Sequence, residues 1–160
     1  MSKALTFYQL IVILSIDSIL RLEVEGIILS VHSDKKDIVR FLEELNCVLR
    51  SKNFDINKNL MLIKSKKETG KEQYSTPYTL ADLDYDTSDI VARLKELTIR
   101  EYSETLFDRD DDKPPLLFVF GKDINEKQVY IKQKIKGDKN KRVLCLSFHY
   151  AERKMEFPYA

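Results

Sequence analysis

Apolar residues recur at helical spacing after residue 37: Ile38, Phe41, Leu42, Leu45, Val48 and Leu49 form one stripe, with Arg40, Glu43, Glu44 and Arg50 opposite. The pattern predicts an amphipathic helix with Ser33 as N-cap, running to about residue 52. Ile90, Val91, Leu94 and Leu97 make a second stripe, predicting a helix over residues 88–97 capped by Thr87. Thr98 and Glu101 have capping-box spacing and predict another short helix, to about residue 107. Residues 60–63 suit a short strand, whereas 64–78 are polar, carry Gly70 and Pro77, and read as a loop.

Further on, the period changes from helical to two. Residues 116–120 read as a buried strand, preceded at 108–115 by a charged breaker whose acids suit a solvated loop better than a cation site. Over residues 129–136 the alternation is clean. Val129, Ile131, Gln133 and Ile135 take one face, and Tyr130, Lys132, Lys134 and Lys136 the other. Gly137 and Asn140 supply a turn, and residues 142–150 return as a second strand. Helices followed by a three-stranded antiparallel meander predict an α+β fold, with N-terminal helices packed on a C-terminal sheet.

Residues 1–32 stand apart as an apolar extension to a domain spanning 33–160. Its apolar run at 7–16 lacks the basic flank and small-residue cleavage site of a signal peptide. Gln9, Asp17, Arg21 and Glu23 break it below the length of a membrane span, so an added helix or strand pair, or an upstream-start extension, is expected rather than an anchor.

Composition narrows the function classes. The 160 residues suffice for one domain with a real core, and a net charge of +1 says little about partners. Two distant cysteines, Cys47 and Cys145, fit a reduced, cytoplasmic protein better than a disulfide or zinc framework. Only two histidines and four glycines are present, without a phosphate-cradling glycine motif, so neither a metal nor a nucleotide cofactor is expected.

Charge distribution is more telling than its sum. From Lys122 to Arg142 there are eight basic residues against three acidic ones. A cationic strand face headed by Tyr130 suits a nucleic-acid backbone, with lysines on phosphates and the aromatic on a base or phosphate oxygen. A bare lysine-rich sheet face that discourages edge pairing explains the same pattern. His149 lies on the returning strand with Ser147 and Cys145 on its face. It joins Tyr130 in an acid–base set only if opposed residue numbers in the hairpin add to an odd value.

Phe120-Gly121-Lys122, Ile124-Asn125, Val129-Tyr130-Ile131-Lys132, then Val143-Leu144-Cys145-Leu146-Ser147-Phe148-His149 and Met155-x-Phe157-Pro158-Tyr159 resemble the C-terminal half of MqsR-type toxins. The resemblance extends over about residues 36–159 and is specific from about Phe118 onward. It implies a RelE-like fold and a metal-independent endoribonuclease acting on messenger RNA, held inactive by a cognate antitoxin protein, with no cofactor and no membrane. It places the active-site tyrosine at Tyr130 and puts His149 where the prototype has a lysine. Glu104 falls where the prototype has another lysine, and Phe118 where it has a tryptophan. The candidate catalytic residues are therefore Tyr130, His149, Lys132 and Glu104, with Lys122, Lys134, Lys136 and Arg142 as candidate RNA contacts. The alternative is a non-catalytic RNA- or protein-binding relative.

Overall fold

A computed structural model describes residues 20–21, 30–108 and 116–160. The expectations for the apolar run at 7–16 and for most of the charged segment 108–115 fall outside the described residues. The described chain is mixed α+β, with a mostly antiparallel sheet. Its strands are β1 (Leu20–Arg21), β2 (Ser30–Val31), β3 (Leu60–Leu62), β4 (Tyr102–Leu106), β5 (Leu117–Ile124), β6 (Lys127–Lys136) and β7 (Arg142–Tyr150). They lie in the order β1-β2-β4-β5-β6-β7-β3, antiparallel throughout except for β3, which runs parallel to β7. The helices are α1 (Lys35–Leu49), α2 (Ile56–Asn59), α3 (Thr76–Leu83) and α4 (Thr87–Lys95).

The helices cover one face of the sheet. α1 delivers Ile38, Phe41, Leu45 and Leu49 to a core shared with Ile90 and Leu94 of α4 and Phe120, Ile131, Val143 and Phe148 of the sheet. Phe41 stacks on Phe118 at 4.2 Å between centroids. The α1 cap is Asp34, whose carboxylate accepts from the Asp37 N–H at 2.9 Å, one residue past the expected Ser33. Ser33 is instead buried among hydroxyls, with its N–H donating to Tyr102 Oη at 2.9 Å and its Oγ 2.8 Å from Thr105 Oγ1. α4 begins one residue before expectation, capped by Asp86 in a capping box with Asp89.

Other expectations need correction. α3 lies partly within the segment read as a loop; Ser75 caps it and Pro77 occupies its first turn. It exists because β3 covers only Val143, Leu144 and Cys145 of β7. Past that point the N–H groups of Phe148 and Tyr150 donate to Thr76 and Thr79 of α3, at 3.3 and 3.0 Å. The Thr98–Glu101 capping box does form, but it opens a single 3-10 turn and no helix. Tyr102–Leu106 is strand β4, because Tyr102, Ser103, Thr105 and Leu106 are all buried between β2 and β5. Ser30 and Val31, assigned above to the extension, belong to the sheet, opposite Leu106 and Thr105.

Candidate functional site

The second face of the sheet carries the candidate chemistry. β5 and β6 meet in a two-residue turn with Asn125 and Glu126 both at positive φ, the geometry that matches the natural twist of a hairpin. From that turn β5 and β6 pair continuously, setting Gly121 opposite Tyr130 and Val119 opposite Lys132. The β6–β7 pairing is less regular. Near its turn Lys136 faces Arg142 and Gln133 faces Cys145, pairs whose numbers add to an even value. A bulge at Leu146 then advances β7 by one residue, so that Lys132 faces Ser147 and Tyr130 faces His149. Without that extra residue the even register would have carried Phe148 to Tyr130. The bulge also moves Cys145 away from His149, into the core against the helices, where burial pushes its thiol up to about 12.

Tyr130 and His149 stack with centroids 5.2 Å apart and planes 18° from parallel. His149 Nδ1 lies 2.9 Å from the carbonyl oxygen of Tyr150. A carbonyl only accepts, so Nδ1 carries the proton and the neutral ring presents Nε2 as an open lone pair. Burial lowers the His149 pKa, with Lys67 and Lys132 adding to the effect against the Tyr150 hydrogen bond. The ring is thus held as a base at neutral pH. Tyr130 is shifted oppositely: burial first, and then the negative charge of Glu104, push its phenol well above the ordinary range. It stays a hydroxyl and donates.

Lys132 and Glu104 flank Val119 on this same face, since Glu104 faces Val119 across β4 and β5. The Glu104 carboxylate is fixed from β2 by Ser30 Oγ at 2.5 Å. All four candidate catalytic side chains therefore share a face. The candidate RNA contacts divide. Lys136 and Arg142 sit opposed at the turn end of the hairpin, with Arg142 exposed. Lys134 is 2% exposed and ion-paired with Asp108, so it is part of the structure of this face rather than an open phosphate contact. Lys122 is on the helix-covered face, paired with Glu101 at 2.9 Å and Glu96 at 3.6 Å, and cannot share a ligand with Tyr130.

One component was not expected from patterning. After β7 the chain turns back and straps across the second face. Met155 N–H donates to Gln128 Oε1 at 3.0 Å, and Met155 packs with Tyr130, Leu146, Leu106, Leu117 and Val119. Met155 and Phe157 lie over Gly121, and Tyr159 ends the crossing with its hydroxyl donating to Ser33 O at 2.8 Å. This strap walls one side of Tyr130 and contributes to its burial. The Met-x-Phe-Pro-Tyr string was visible in the sequence, but nothing in its spacing says what it lies on.

Among the described residues no group of His, Cys, Asp or Glu could hold a metal ion, and no helix is long and apolar enough to cross a membrane. Comparison with protein-family models, with curated proteins and with solved structures finds no significant match to this chain.

Proposed function

We propose that this chain is an endoribonuclease of the MqsR toxin type, with a RelE-like domain, that cuts messenger RNA in the cytoplasm and is silenced by a cognate antitoxin. The observation that carries the reading is the Tyr130–His149 stack, with a lone pair on one ring, a retained hydroxyl on the other, and Lys132 in the next row. His149 Nε2 takes the proton of the ribose 2′-hydroxyl. The 2′-oxygen bonds to the adjacent phosphorus as the bond from phosphorus to the 5′-oxygen breaks, leaving a cyclic phosphate. Water supplies the proton for the departing 5′-oxygen. Tyr130 donates to a non-bridging phosphate oxygen, and Lys132 offsets the charge that grows there. Glu104 keeps Tyr130 protonated by opposing a second negative charge.

Purified wild-type chain should cleave RNA, free or ribosome-bound, without added metal, leaving cyclic phosphate ends, and its expression should arrest growth. Tyr130→Phe and His149→Gln should each lower the rate roughly 10²–10⁴-fold. The double mutant should lose less than the product of the two, since both act in one step. Intact RNA and harmless expression of the wild type refute the reading. They would favour instead a non-catalytic RNA- or protein-binding module, for which the carboxylate of Glu104 on the phosphate-facing surface and the ion-paired Lys134 already speak.

A further inference from the structure

The sheet ends in an open edge at β3. Among the described residues no strand lies beyond it, and β3 pairs on its inner side with β7 alone. The Ile63 N–H points inward, donating to Cys145 O at 2.9 Å, so by strand alternation the N–H and C=O of Leu62 point outward, away from β7. Protein edges are usually blunted with charge or cover, because a bare one is a template for another strand. β3 instead presents apolar side chains, with Met61 45% exposed and Ile63 37%. Met61 pairs with Leu144, which pairs with Lys134, so Met61 and Ile63 lie on the second face, the one that holds Tyr130 and His149. Half-buried Leu144 and Leu146 carry the apolar strip inward, and Leu146 joins the cluster to which Tyr130 and Met155 belong.

The chain that follows β3 supplies charge. Residues 60–67 hold three lysines, Lys64, Lys66 and Lys67, and no acid. All three are exposed, and Lys67 lies near enough to His149 for its charge to bear on that ring. An outward row of donors and acceptors, two apolar knobs and a basic run ending beside the candidate pair describe the seat of an extended peptide. RNA fits it less well, since a phosphate only accepts and leaves the Leu62 carbonyl and the Met61 side chain uncovered. A second copy of the edge fits less well too, because residues 60–67 offer it lysines and no carboxylate. We propose that the β3 edge receives, as an added strand, an extended segment of a partner protein, apolar where it passes Met61 and Ile63 and acidic beyond. Its carboxylates meet Lys64, Lys66 and Lys67, and its end closes the approach to His149. The docking edge stands on this geometry alone. That its occupant silences the chain rests on the endoribonuclease reading above, and gives the antitoxin a place and a chemistry.

The test titrates the full ¹⁵N-labelled chain with a short synthetic peptide of alternating valine and threonine ending in glutamates, and with the same peptide reversed, which serve the two strand directions. One of them should slow hydrogen exchange at the Leu62 N–H roughly ten-fold or more, while the Ile63 N–H, already bonded to Cys145, changes little. Met61→Ser combined with Ile63→Ser should weaken binding roughly ten-fold or more and leave the melting temperature in place, since both side chains are exposed. Lysines in place of the peptide's glutamates should abolish binding at low salt. The bound peptide should also slow RNA cleavage by the wild type. An unprotected Leu62 with both peptides, or equal binding by the double variant, overturns the proposal. Protection by an oligouridylate and by neither peptide assigns the edge to RNA, and protection that rises with protein concentration alone assigns it to a second copy; each overturns it. Peptide binding by a chain that cleaves no RNA keeps the docking edge and sinks the nuclease reading. Cleavage without peptide binding sinks the edge and spares the nuclease, and cleavage untouched by a bound peptide overturns the silencing role.

Discussion

Gly121→Ala probes the strap where it passes nearest the candidate site. A Cβ at this position would stand 2.7 Å from Phe157 Cζ, 2.8 Å from Met155 Sδ and 2.8 Å from Phe157 Cε1. Ordinary contacts between such atoms are about 3.5–4.0 Å, so the strap must retreat by about 1 Å. Overpacking of this kind costs about 1–3 kcal/mol. Against it stands the gain of replacing a strand glycine, about 0.5–1 kcal/mol. The net expectation is a loss of about 0.5–2 kcal/mol, which lowers the melting temperature of a chain this size by roughly 1–8 °C. Calorimetry on wild type, Gly121→Ala, Phe157→Ala and the double mutant gives the coupling directly. Phe157→Ala should cost less in the Gly121→Ala background than alone, by at least about 0.5 kcal/mol. A raised melting temperature in Gly121→Ala, with additive behaviour in the double mutant, would refute the crossing of the strap over β5.

Three further outcomes follow from the packing. Gln133 is fully buried against the helices with neither amide atom hydrogen-bonded, so Gln133→Met should stabilise by about 1–3 kcal/mol in urea unfolding; a lower midpoint contradicts this. Because the folded-state pKa of His149 lies below its ordinary 6.5, the unfolded chain binds the extra proton first, and stability falls as pH drops below about 6.5. His149→Gln should flatten that decline, and an unchanged slope would assign it to other groups. Starting the chain at Ser33 instead of Ser30 removes Val31, which is 5% exposed, and the Ser30–Glu104 bond. The shorter chain should still melt cooperatively but be less stable by about 1.5–3 kcal/mol, and equal stability would mean that β2 adds nothing to the core.

The elements that were legible in the sequence are those whose residues state their own surroundings. α1 and α4 show their stripes because each buries one side on a sheet, and β6 shows its alternation because its two faces meet a core and a polar surface. β4 failed because a true capping box precedes it: Thr98 and Glu101 satisfy each other over one turn, and only tertiary burial of Tyr102 and Thr105 then draws the chain straight. α3 was hidden because its contribution is two threonine hydroxyls offered to a strand edge, which leave no hydrophobic period. At the site, the sharing of a face by Tyr130 and Lys132 was plain, whereas the meeting with His149 hung on one bulged residue. Lys134 and Lys122 were misread because their partners, Asp108 and Glu101, come from separate segments that local pattern cannot bring together.

The strap has a kinetic consequence. Tyr159 reaches Ser33, 126 residues away in sequence, and it does so after the chain has crossed β6 and β5. During synthesis the helices and the first strands emerge long before this closure is available, and contacts so distant in sequence form late. Until they form, the surface beside Tyr130 stays wet, and the phenol lacks part of the desolvation that raises its proton affinity. A nascent chain on the ribosome would therefore carry every residue of the site and still have an untuned one. Under the endoribonuclease reading proposed above, that delay would keep each copy inert towards the transcript encoding it until the crossing over β6 and β5 is made.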